Sequence, residues 1–173
     1  MRNITESSPK PDEHYMLEAV KQAQIAEENG DVPIGACIVY QGRVIARACN
    51  QRELLKDPTA HAEMIAITQA SEYVGSWRLH GCTMYVTLEP CSMCAGALVL
   101  ARIDRLVYAC DDEKTGAVRS LYNIVQDDRL NHRVDVTAGV LAEPCSLMLS
   151  NFFKRRRTEI AAQRQKLKDI ELD

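Results

Sequence analysis

The feature that most constrains the fold is a strand, a helix and a second strand in close succession between residues 82 and 109. Cys82–Leu88 is an apolar, β-rich run, Cys91–Ala101 is an uncharged helical stretch behind Pro90, and Arg105–Ala109 is again β-rich. Two strands that are joined by a helix pair in parallel, because the helix carries the chain back along the sheet. The sequence therefore predicts an α/β fold that contains a parallel crossover unit.

The remaining periodic segments predict a three-layer α/β/α sandwich with a mixed five-stranded sheet. Gln41-Gly42 separates two β-rich runs as a two-residue hairpin turn would, so the sheet begins with an antiparallel pair. The predicted helices are Asp12–Asn29, His61–Tyr73, Cys91–Ala101 and Pro144–Lys168, and the predicted strands are Ile34–Tyr40, Arg43–Cys49, Cys82–Leu88, Arg105–Ala109 and Val134–Ala138.

Length and composition predict one domain with tails. The 173 residues are 46% apolar and 26% charged, and we place the domain at 12–157, between an N-terminal tail (1–11) and a basic, then acidic, C-terminal helical tail (158–173). The chain shows neither a signal-peptide core nor a stretch long enough to span a bilayer, so we expect a soluble, cytoplasmic protein without membrane contacts. Seven cysteines without a secretion signal favour metal ligation or burial over disulfides.

Three residues have the types and spacing of zinc ligands. They are His61, in His61-Ala62-Glu63, and the two cysteines of Pro90-Cys91-Ser92-Met93-Cys94. At a helix start, Cys91 and Cys94 would lie on one face of the first turn, where the helix dipole favours thiolates. Two thiolates and a neutral imidazole leave one tetrahedral position open, which is typical of catalytic zinc. We expect one zinc ion per subunit.

Glu63 is expected to act as an acid/base group. It follows His61 by two residues, or about 200° around a helix, so it does not share the ligand face. Zinc lowers the pKa of a bound water, and a nearby carboxylate can carry the water's proton to the substrate and the leaving group. A redox pair or two buried thiols, and a core or capping histidine, are the alternatives for the separate pieces. Together, the pieces are those of a hydrolytic deaminase.

The other cysteines and histidines are assigned no chemistry. Four cysteines in predicted strands are expected in the core, where a small apolar residue suffices: Cys37, Cys49, Cys82 and Cys110. Glu143-Pro144-Cys145-Ser146 repeats Glu89-Pro90-Cys91-Ser92, but Met148 stands where a second cysteine would be, so we expect no metal site there. Three histidines lack partners at ligand spacing and are expected to be surface or structural residues: His14, His80 and His132.

The His61-Ala62-Glu63 and Pro90–Cys94 segments resemble the signature of the zinc-dependent cytidine/deoxycytidylate deaminase superfamily. From about His14 to Arg157 the chain is similar to the bacterial tRNA-specific adenosine deaminases. The similar segments are Asp31–Ala36, Asp57–Glu63, Tyr85–Gly96, Asp112–Ala117, Asn131–Val134 and Leu149–Phe153. The resemblance implies a cytidine deaminase-like fold, a zinc-dependent deaminase domain at 12–157, and a homodimer that converts the wobble adenosine of a tRNA anticodon to inosine.

The resemblance also implies roles for particular residues. His61, Cys91 and Cys94 would bind zinc, and Glu63 would move protons. Asn50 would contact the flipped nucleotide, and Asp112 and Phe153 would lie beside the anticodon loop. From the residues alone, Asn50 could equally be a turn former after a strand, and Phe153 a core aromatic.

The positive charge of the chain is concentrated near its C-terminus. The net charge is −3, yet residues 154–168 contain seven basic residues and one acidic residue. We expect five basic residues to contact the anticodon loop of tRNA: Lys114, Lys154, Arg155, Arg156 and Arg157. A solvated face of a terminal helix is the alternative.

Two other functions compete with tRNA deamination. A free-base or nucleoside deaminase, such as a guanine or cytosine deaminase, would use the same zinc chemistry, but it has no need for a basic cluster beside an aromatic pair. A flipped nucleotide in an RNA loop gains from both phosphate contacts and stacking. A zinc-stabilised RNA-binding or scaffolding subunit is the second alternative, and Glu63 argues against it, because a structural zinc site has no use for an acid/base carboxylate.

Overall fold

The computed structural model describes residues 11–170, with side chains through residue 167, and it confirms the three-layer α/β/α sandwich. The helices are α1 (Asp12–Glu28), α2 (Arg52–Leu55), α3 (Ala62–Val74), α4 (Ser92–Leu100) and α5 (Ala142–Ile170). The strands are β1 (Gly35–Tyr40), β2 (Arg43–Cys49), β3 (Cys82–Leu88), β4 (Arg105–Cys110) and β5 (Asp135–Ala138). Of the two predicted tails, residues 1–10 and 171–173 lie outside the described residues.

The five strands form one mixed sheet in the order β2-β1-β3-β4-β5. β1 pairs antiparallel with β2 and with β3, whereas β3, β4 and β5 pair in parallel. Gln41 and Gly42, which join β1 to β2, have positive φ angles of 49° and 73°, as a type I′ hairpin turn requires. The predicted hairpin and the predicted β3–α4–β4 crossover are therefore both confirmed.

Two apolar clusters cover the two faces of the sheet. On one face, small or branched residues of α3 and α4, such as Ala66 and Leu98, pack with Ile38 and its neighbours. On the other face, Met16 of α1 and Cys145 of α5 belong to a second cluster. Strand residues alternate between the two faces, so each strand contributes to both layers.

One edge of the sheet gathers the ends of four strands. Gly35, at the start of β1, pairs with Cys49 at the end of β2, and Leu88, at the end of β3, pairs with Cys110 at the end of β4. The residues that follow β2, β3 and β4 therefore meet at this edge, where ligands commonly bind in α/β folds.

The differences from the predicted elements are small. Most bounds move by one or two residues, the usual uncertainty at element ends. The added element is α2, in a segment predicted as a polar loop, and it begins where the N–H of Glu53 donates to the buried carboxylate of Asp31 at 2.9 Å. In the described part of the chain, no helix has the length and apolar character needed to cross a membrane.

Candidate active site

Three ligand-type side chains converge at the N-termini of α3 and α4. His61 and Cys91 are the N-cap residues of these helices, and Cys94 lies in the first turn of α4. Nδ1 of His61 lies 3.7 Å from Sγ of Cys91 and 3.6 Å from Sγ of Cys94. Tetrahedral zinc holds such ligand atoms roughly 3.5–3.8 Å apart. All three atoms lie within 4.8 Å of one another, and no other such cluster occurs among the described residues.

The surroundings of Cys91 favour its thiolate. A hydrogen bond from Cys94, together with the neighbouring His61, lowers the pKa of Cys91 to about 4 although burial opposes this. The same hydrogen bond and burial raise the pKa of Cys94, and the hydrogen bond with Cys91 raises the pKa of His61. Because the thiolate is the form that binds metal, and metal binding displaces the remaining thiol proton, this donor set fits a zinc ion.

Glu63 lies in the first turn of α3 and is only 4% exposed. Its Oε2 atom is buried without a hydrogen-bond partner, the one such side-chain atom found between residues 11 and 167. Burial raises the pKa of Glu63. An unpaired buried carboxylate oxygen is costly for folding, so this oxygen fits a group that meets water or substrate beside the three ligands.

A cavity of about 740 Å³ opens in front of these residues. One face of α5 forms a wall of the cavity, with Ser146, Leu149, Ser150 and Phe153 recurring every three or four residues. Phe153 is 44% exposed at this wall, whereas its neighbour Phe152 is buried. The alternative that Phe153 is a core aromatic is therefore wrong.

Asn50, at the end of β2, lines the same cavity and is 2% exposed. Its Nδ2 donates at 2.6 Å to Asp31, a buried carboxylate that also accepts from the N–H groups of Val32 and Glu53. A carboxylate only accepts hydrogen bonds, so this contact orients the Asn50 amide and turns its carbonyl oxygen away from Asp31. Asn50 is thus a buried polar group with a set orientation in the cavity.

Residues 111–120, which follow β4, form a wall segment beside the start of α4, and residues 111–115 of this segment line the cavity. The carboxylate of Asp112 accepts from the N–H of Lys114 at 2.9 Å, and its own N–H donates to Glu89 at 2.9 Å. Asp112 and Lys114 both line the cavity. Asp111 forms two hydrogen bonds with Arg119, of 2.9 and 2.6 Å, so a local cation balances its charge beside the cavity.

Comparison with known proteins shows where this arrangement belongs. The MafB19-like deaminase family model matches residues 10–157. A tRNA-specific adenosine deaminase of Bacillus subtilis (strain 168) is 50% identical over 158 residues, which cover 91% of this chain and 98% of that protein. The chain belongs to the tRNA-specific adenosine deaminase family. It is an enzyme, a hydrolytic deaminase.

Solved structures similar to this chain include one from studies of tRNA deaminases and one of a guanine deaminase. A structure from studies of A-to-I editing by tRNA:A34 deaminases has a TM-score of 0.76 and 45% identity, and the match covers 79% of this chain and 99% of that one. The guanine deaminase of Bacillus subtilis has a TM-score of 0.57 and 38% identity, over 59% of this chain and 66% of that one. Because a free-base deaminase shares the fold, the substrate must be argued from the site.

The basic cluster of the deaminase is not one uniform surface. Successive residues of α5 are about 100° apart, so Arg155 lies about 200° from Phe153, on the far side of the helix. There it forms an ion pair with Glu27 of α1. Arg155 therefore ties α5 to α1.

The other three basic residues differ in their partners. Arg156 forms an ion pair with Glu159 at 3.4 Å, whereas Lys154 and Arg157 have no ion-pair partner within the described side chains. Arg157 lies about 40° from Phe153 around the helix, close to the cavity-lining face. Lys154 and Arg157 are thus the cations of the cluster that are open to an external anion.

The cysteines outside the metal cluster follow the sequence interpretation with one correction. Cys37, Cys49, Cys82 and Cys145 are buried, whereas Cys110 is half-buried at the end of β4 rather than in the core. Burial raises the pKa of Cys37 to about 12, so its thiol stays protonated.

The histidines outside the metal cluster were expected to be surface or structural residues. His132 has Nε2 2.7 Å from the carbonyl oxygen of Ile103 and is half-buried, which is a structural role. His14 and His80 are exposed. All three therefore match the expectation.

Sequence reasoning missed three residues of the site: Asp31, Arg52 and Glu89. Asp31 and Glu89 are buried carboxylates that organise the loops around the cavity, and Arg52 of α2 is an exposed cation that lines it. The available signal was position, since Glu89 directly follows β3, Asp31 lies in the loop before β1, and Arg52 lies in the segment after β2. An acidic residue between apolar neighbours, such as Glu89 between Leu88 and Pro90, is itself a sign of a buried carboxylate.

Proposed function

We propose that this enzyme deaminates adenosine to inosine at the wobble position of a tRNA anticodon, with one zinc ion per subunit. The observation that carries the proposal is the unpaired Oε2 of Glu63, buried beside the His61, Cys91 and Cys94 cluster. The catalytic unit is residues 12–157, and a tRNA substrate agrees with the expected cytoplasmic compartment.

His61, Cys91 and Cys94 would hold the zinc ion through Nδ1 and two Sγ atoms. When bound, zinc supplies a Lewis acid that makes water more acidic at neutral pH. Cys91 is prepared for this role by its lowered pKa, because less free energy is then needed to form its thiolate.

Glu63 would carry protons between water and the purine. Its Oε2 takes a proton from the attacking water and delivers it to the ring nitrogen N1 as the C6–O bond forms. Glu63 then transfers the second proton of that water to the amino group, which leaves as ammonia as the C6–N bond breaks. Burial raises the pKa of Glu63, which favours the protonated form that delivers a proton to the purine.

Asn50, Asp112 and Phe153 would hold the flipped nucleotide in the cavity. Asn50 offers a buried amide of set orientation, and Phe153 offers an exposed ring on which a base can stack. Lys114, which lines the cavity, and the two cations of the cluster without an ion-pair partner among the described side chains, Lys154 and Arg157, would contact the phosphates of the loop, whereas Arg155 and Arg156 are held by Glu27 and Glu159. Flipping brings the base out of the RNA stack into the enclosed site.

We also propose that the enzyme acts as a homodimer. Three large apolar side chains on or beside α3 and at the end of α4 are more than half exposed, namely Tyr73 (60%), Trp77 (56%) and Leu100 (71%). Aromatic side chains are enriched at protein interfaces, and a second copy that packs against α3 and α4 would cover these three side chains. Analytical ultracentrifugation tests this: the wild-type chain should sediment as a dimer and Leu100→Asp as a monomer.

The direct test of the function is to incubate the purified enzyme with unmodified tRNA, digest the tRNA to nucleosides and measure inosine by mass spectrometry. Parallel incubations with guanine, cytosine and free adenosine test the free-base and nucleoside alternatives. Inosine in tRNA alone supports the proposal. Turnover of a free base without inosine in tRNA would contradict it.

The basic cluster allows a matched comparison of RNA contacts. Lys154→Gln/Arg157→Gln removes the two cations without ion-pair partners, and Arg155→Gln/Arg156→Gln removes the two that are paired within the chain. The first variant should flatten the slope of log K against log salt for tRNA by about one to two units, whereas the second should change it by less than about one unit. Equal slopes for both variants and the wild type would indicate that the cluster is a solvated helix face that does not contact tRNA.

A further inference from the structure

Glu89 stands between the metal-ligand turn and the wall segment, residues 111–120, of which residues 111–115 line the cavity. It is 2% exposed and lies two residues before Cys91. Its carboxylate accepts four backbone N–H bonds at 2.9, 3.0, 2.8 and 2.9 Å and a further bond from a hydroxyl. The donors are the N–H groups of Asp112, Val118, Arg119 and Ser120 and the hydroxyl of Ser120.

Two further contacts attach the same segment to the same turn. Ala117 donates its N–H to the carbonyl oxygen of Pro90 at 2.8 Å, and Gly116 forms an isolated β-bridge with Cys91. Gly116 has no room for a side chain, because a Cβ there would collide with the carboxylate of Glu89 and the carbonyl oxygen of Asp112. The wall is thus packed directly against the residues that carry the metal ligands.

The hydrogen bonding of Glu89 differs from that of an acid/base group, which needs an oxygen free to exchange a proton. Oε1 accepts three of the five hydrogen bonds and Oε2 accepts two, so both oxygens are fully engaged with the protein. A buried carboxylate with charge-assisted bonds to several backbone donors holds a loop in one arrangement.

We propose that Glu89 is a positioning residue that sets the place of the wall segment, and thereby of Asp112 and Lys114, relative to the metal-ligand turn. It acts on binding of the RNA and not on the proton transfers. This inference rests on the proposed function, in which Asp112 and Lys114 contact the substrate.

The test is Glu89→Gln in the full-length, zinc-loaded enzyme. The amide nitrogen of glutamine cannot accept, so at least one backbone N–H of the wall loses its partner. KM for unmodified tRNA should rise about tenfold, as expected for one lost charge-assisted bond, while kcat stays within about twofold. Zinc content should not change. Hydrogen exchange at residues 112 and 118–120 should accelerate about tenfold, with no change in β1, β3 and β4.

Ser120→Ala is the matched control, because it keeps the carboxylate and all four backbone bonds and should leave KM within about threefold. Gly116→Ala disturbs the same contact from within the wall segment, because its Cβ would collide with the carboxylate of Glu89, and it should reproduce the rise in KM. It also decides the question if Glu89→Gln does not fold.

A loss of zinc or of kcat in Glu89→Gln would overturn the proposal by placing Glu89 in the metal centre. Unchanged KM and unchanged exchange at residues 112–120 would overturn it as well, as would faster exchange spread evenly over the whole sheet. The exchange measurement needs no substrate, so its result stands even if the wild-type enzyme does not act on tRNA.

Discussion

Two buried glutamates lie in the wall of one cavity, and their surroundings give them opposite properties. Glu63, in the first turn of α3, is 4% exposed, and Glu89, directly after β3, is 2% exposed. Burial raises the pKa of Glu63 and would also raise that of Glu89. The pKa of Glu89 is nevertheless lowered, because hydrogen bonds from Ser120 and from the backbone outweigh its burial.

The difference between the two glutamates is a difference in donors. Glu63 has an oxygen without any partner, whereas both oxygens of Glu89 are surrounded by N–H and O–H groups. A carboxylate with a free oxygen and a raised pKa can exchange protons. A carboxylate whose two oxygens both accept hydrogen bonds stays ionised and fixes the position of the segments that donate to it. Burial alone therefore does not distinguish the two carboxylates, whereas the number of hydrogen-bond donors around each does.

Removing the metal should have the largest effect, because the roles proposed for Glu63, His61, Cys91 and Cys94 all depend on a bound zinc ion. Removing zinc with a chelator should lower turnover on tRNA by more than about 10³-fold, since metal catalysis supplies several kcal/mol. Activity should return on addition of Zn²⁺. Elemental analysis before and after chelation checks the metal, and a metal-free protein that keeps its activity would contradict the assignment of His61, Cys91 and Cys94.

Glu63→Gln tests whether Glu63 is the acid/base group. The change removes the proton carrier and keeps the shape, so kcat should fall by about 10²–10⁴-fold. Zinc content should stay at that of the wild type, and thermal stability should stay or increase, because an unpaired buried carboxylate is replaced by a neutral amide. Steady-state kinetics, elemental analysis and thermal melts measure the three quantities. Near-normal kcat would exclude Glu63 as the acid/base group.

Asp31→Asn tests whether a buried carboxylate that is surrounded by hydrogen-bond donors stabilises the folded protein. Asp31 accepts from Asn50, Val32 and Glu53, so an amide in its place leaves one donor facing another. The free energy of unfolding should fall by about 1–3 kcal/mol, the cost of an unsatisfied buried polar group. Urea unfolding measures it, with the exposed Asp128→Asn as control. Equal stability of the two variants would show that donor saturation is not what holds Asp31 in place.

Asp12→Asn should give the smallest effect. It measures how much a charged donor, Arg105, contributes to stability at a partly exposed carboxylate. Arg105 donates to both oxygens of Asp12, at 2.9 and 2.7 Å, and these bonds lower the pKa of Asp12. A lowered folded-state pKa contributes stability above the unfolded value of about 4, and this contribution is lost as the pH falls through the folded pKa. Asp12→Asn should therefore cost about 1 kcal/mol or less at pH 7.

The difference between Asp12→Asn and the wild type should shrink as the pH falls below the unfolded value and disappear once the carboxyl group of the folded wild type is protonated. Thermal melts across this pH range measure it, with Glu13→Gln in the same turn of α1 as control. A difference that persists unchanged at low pH would mean that Asp12 acts through packing and not through its charge.

Local patterns predicted most of the elements and the metal cluster. The candidate metal ligands could be recognised in two short segments, from His61 to Glu63 and from Pro90 to Cys94. Ligand residue types at fixed spacing at the start of a helix are a local property of the sequence. The hairpin at Gln41-Gly42 and the crossover from β3 to β4 are local as well. α2 was missed, because its start depends on a hydrogen bond to Asp31, which lies 22 residues earlier in the chain than Glu53.

The sequence by itself determined the fold class, the three metal-ligating candidates and the acid/base candidate. Periodicity and short-range spacing suffice for these properties. Only the tertiary structure decided that Phe153 and not Phe152 faces the cavity, that Arg155 is bound to Glu27, and that Glu89 holds the wall beside the metal cluster. These properties depend on how a helix is rotated against the sheet and on which loops meet at its edge. Both are set by packing between residues far apart in the chain, which no local pattern records.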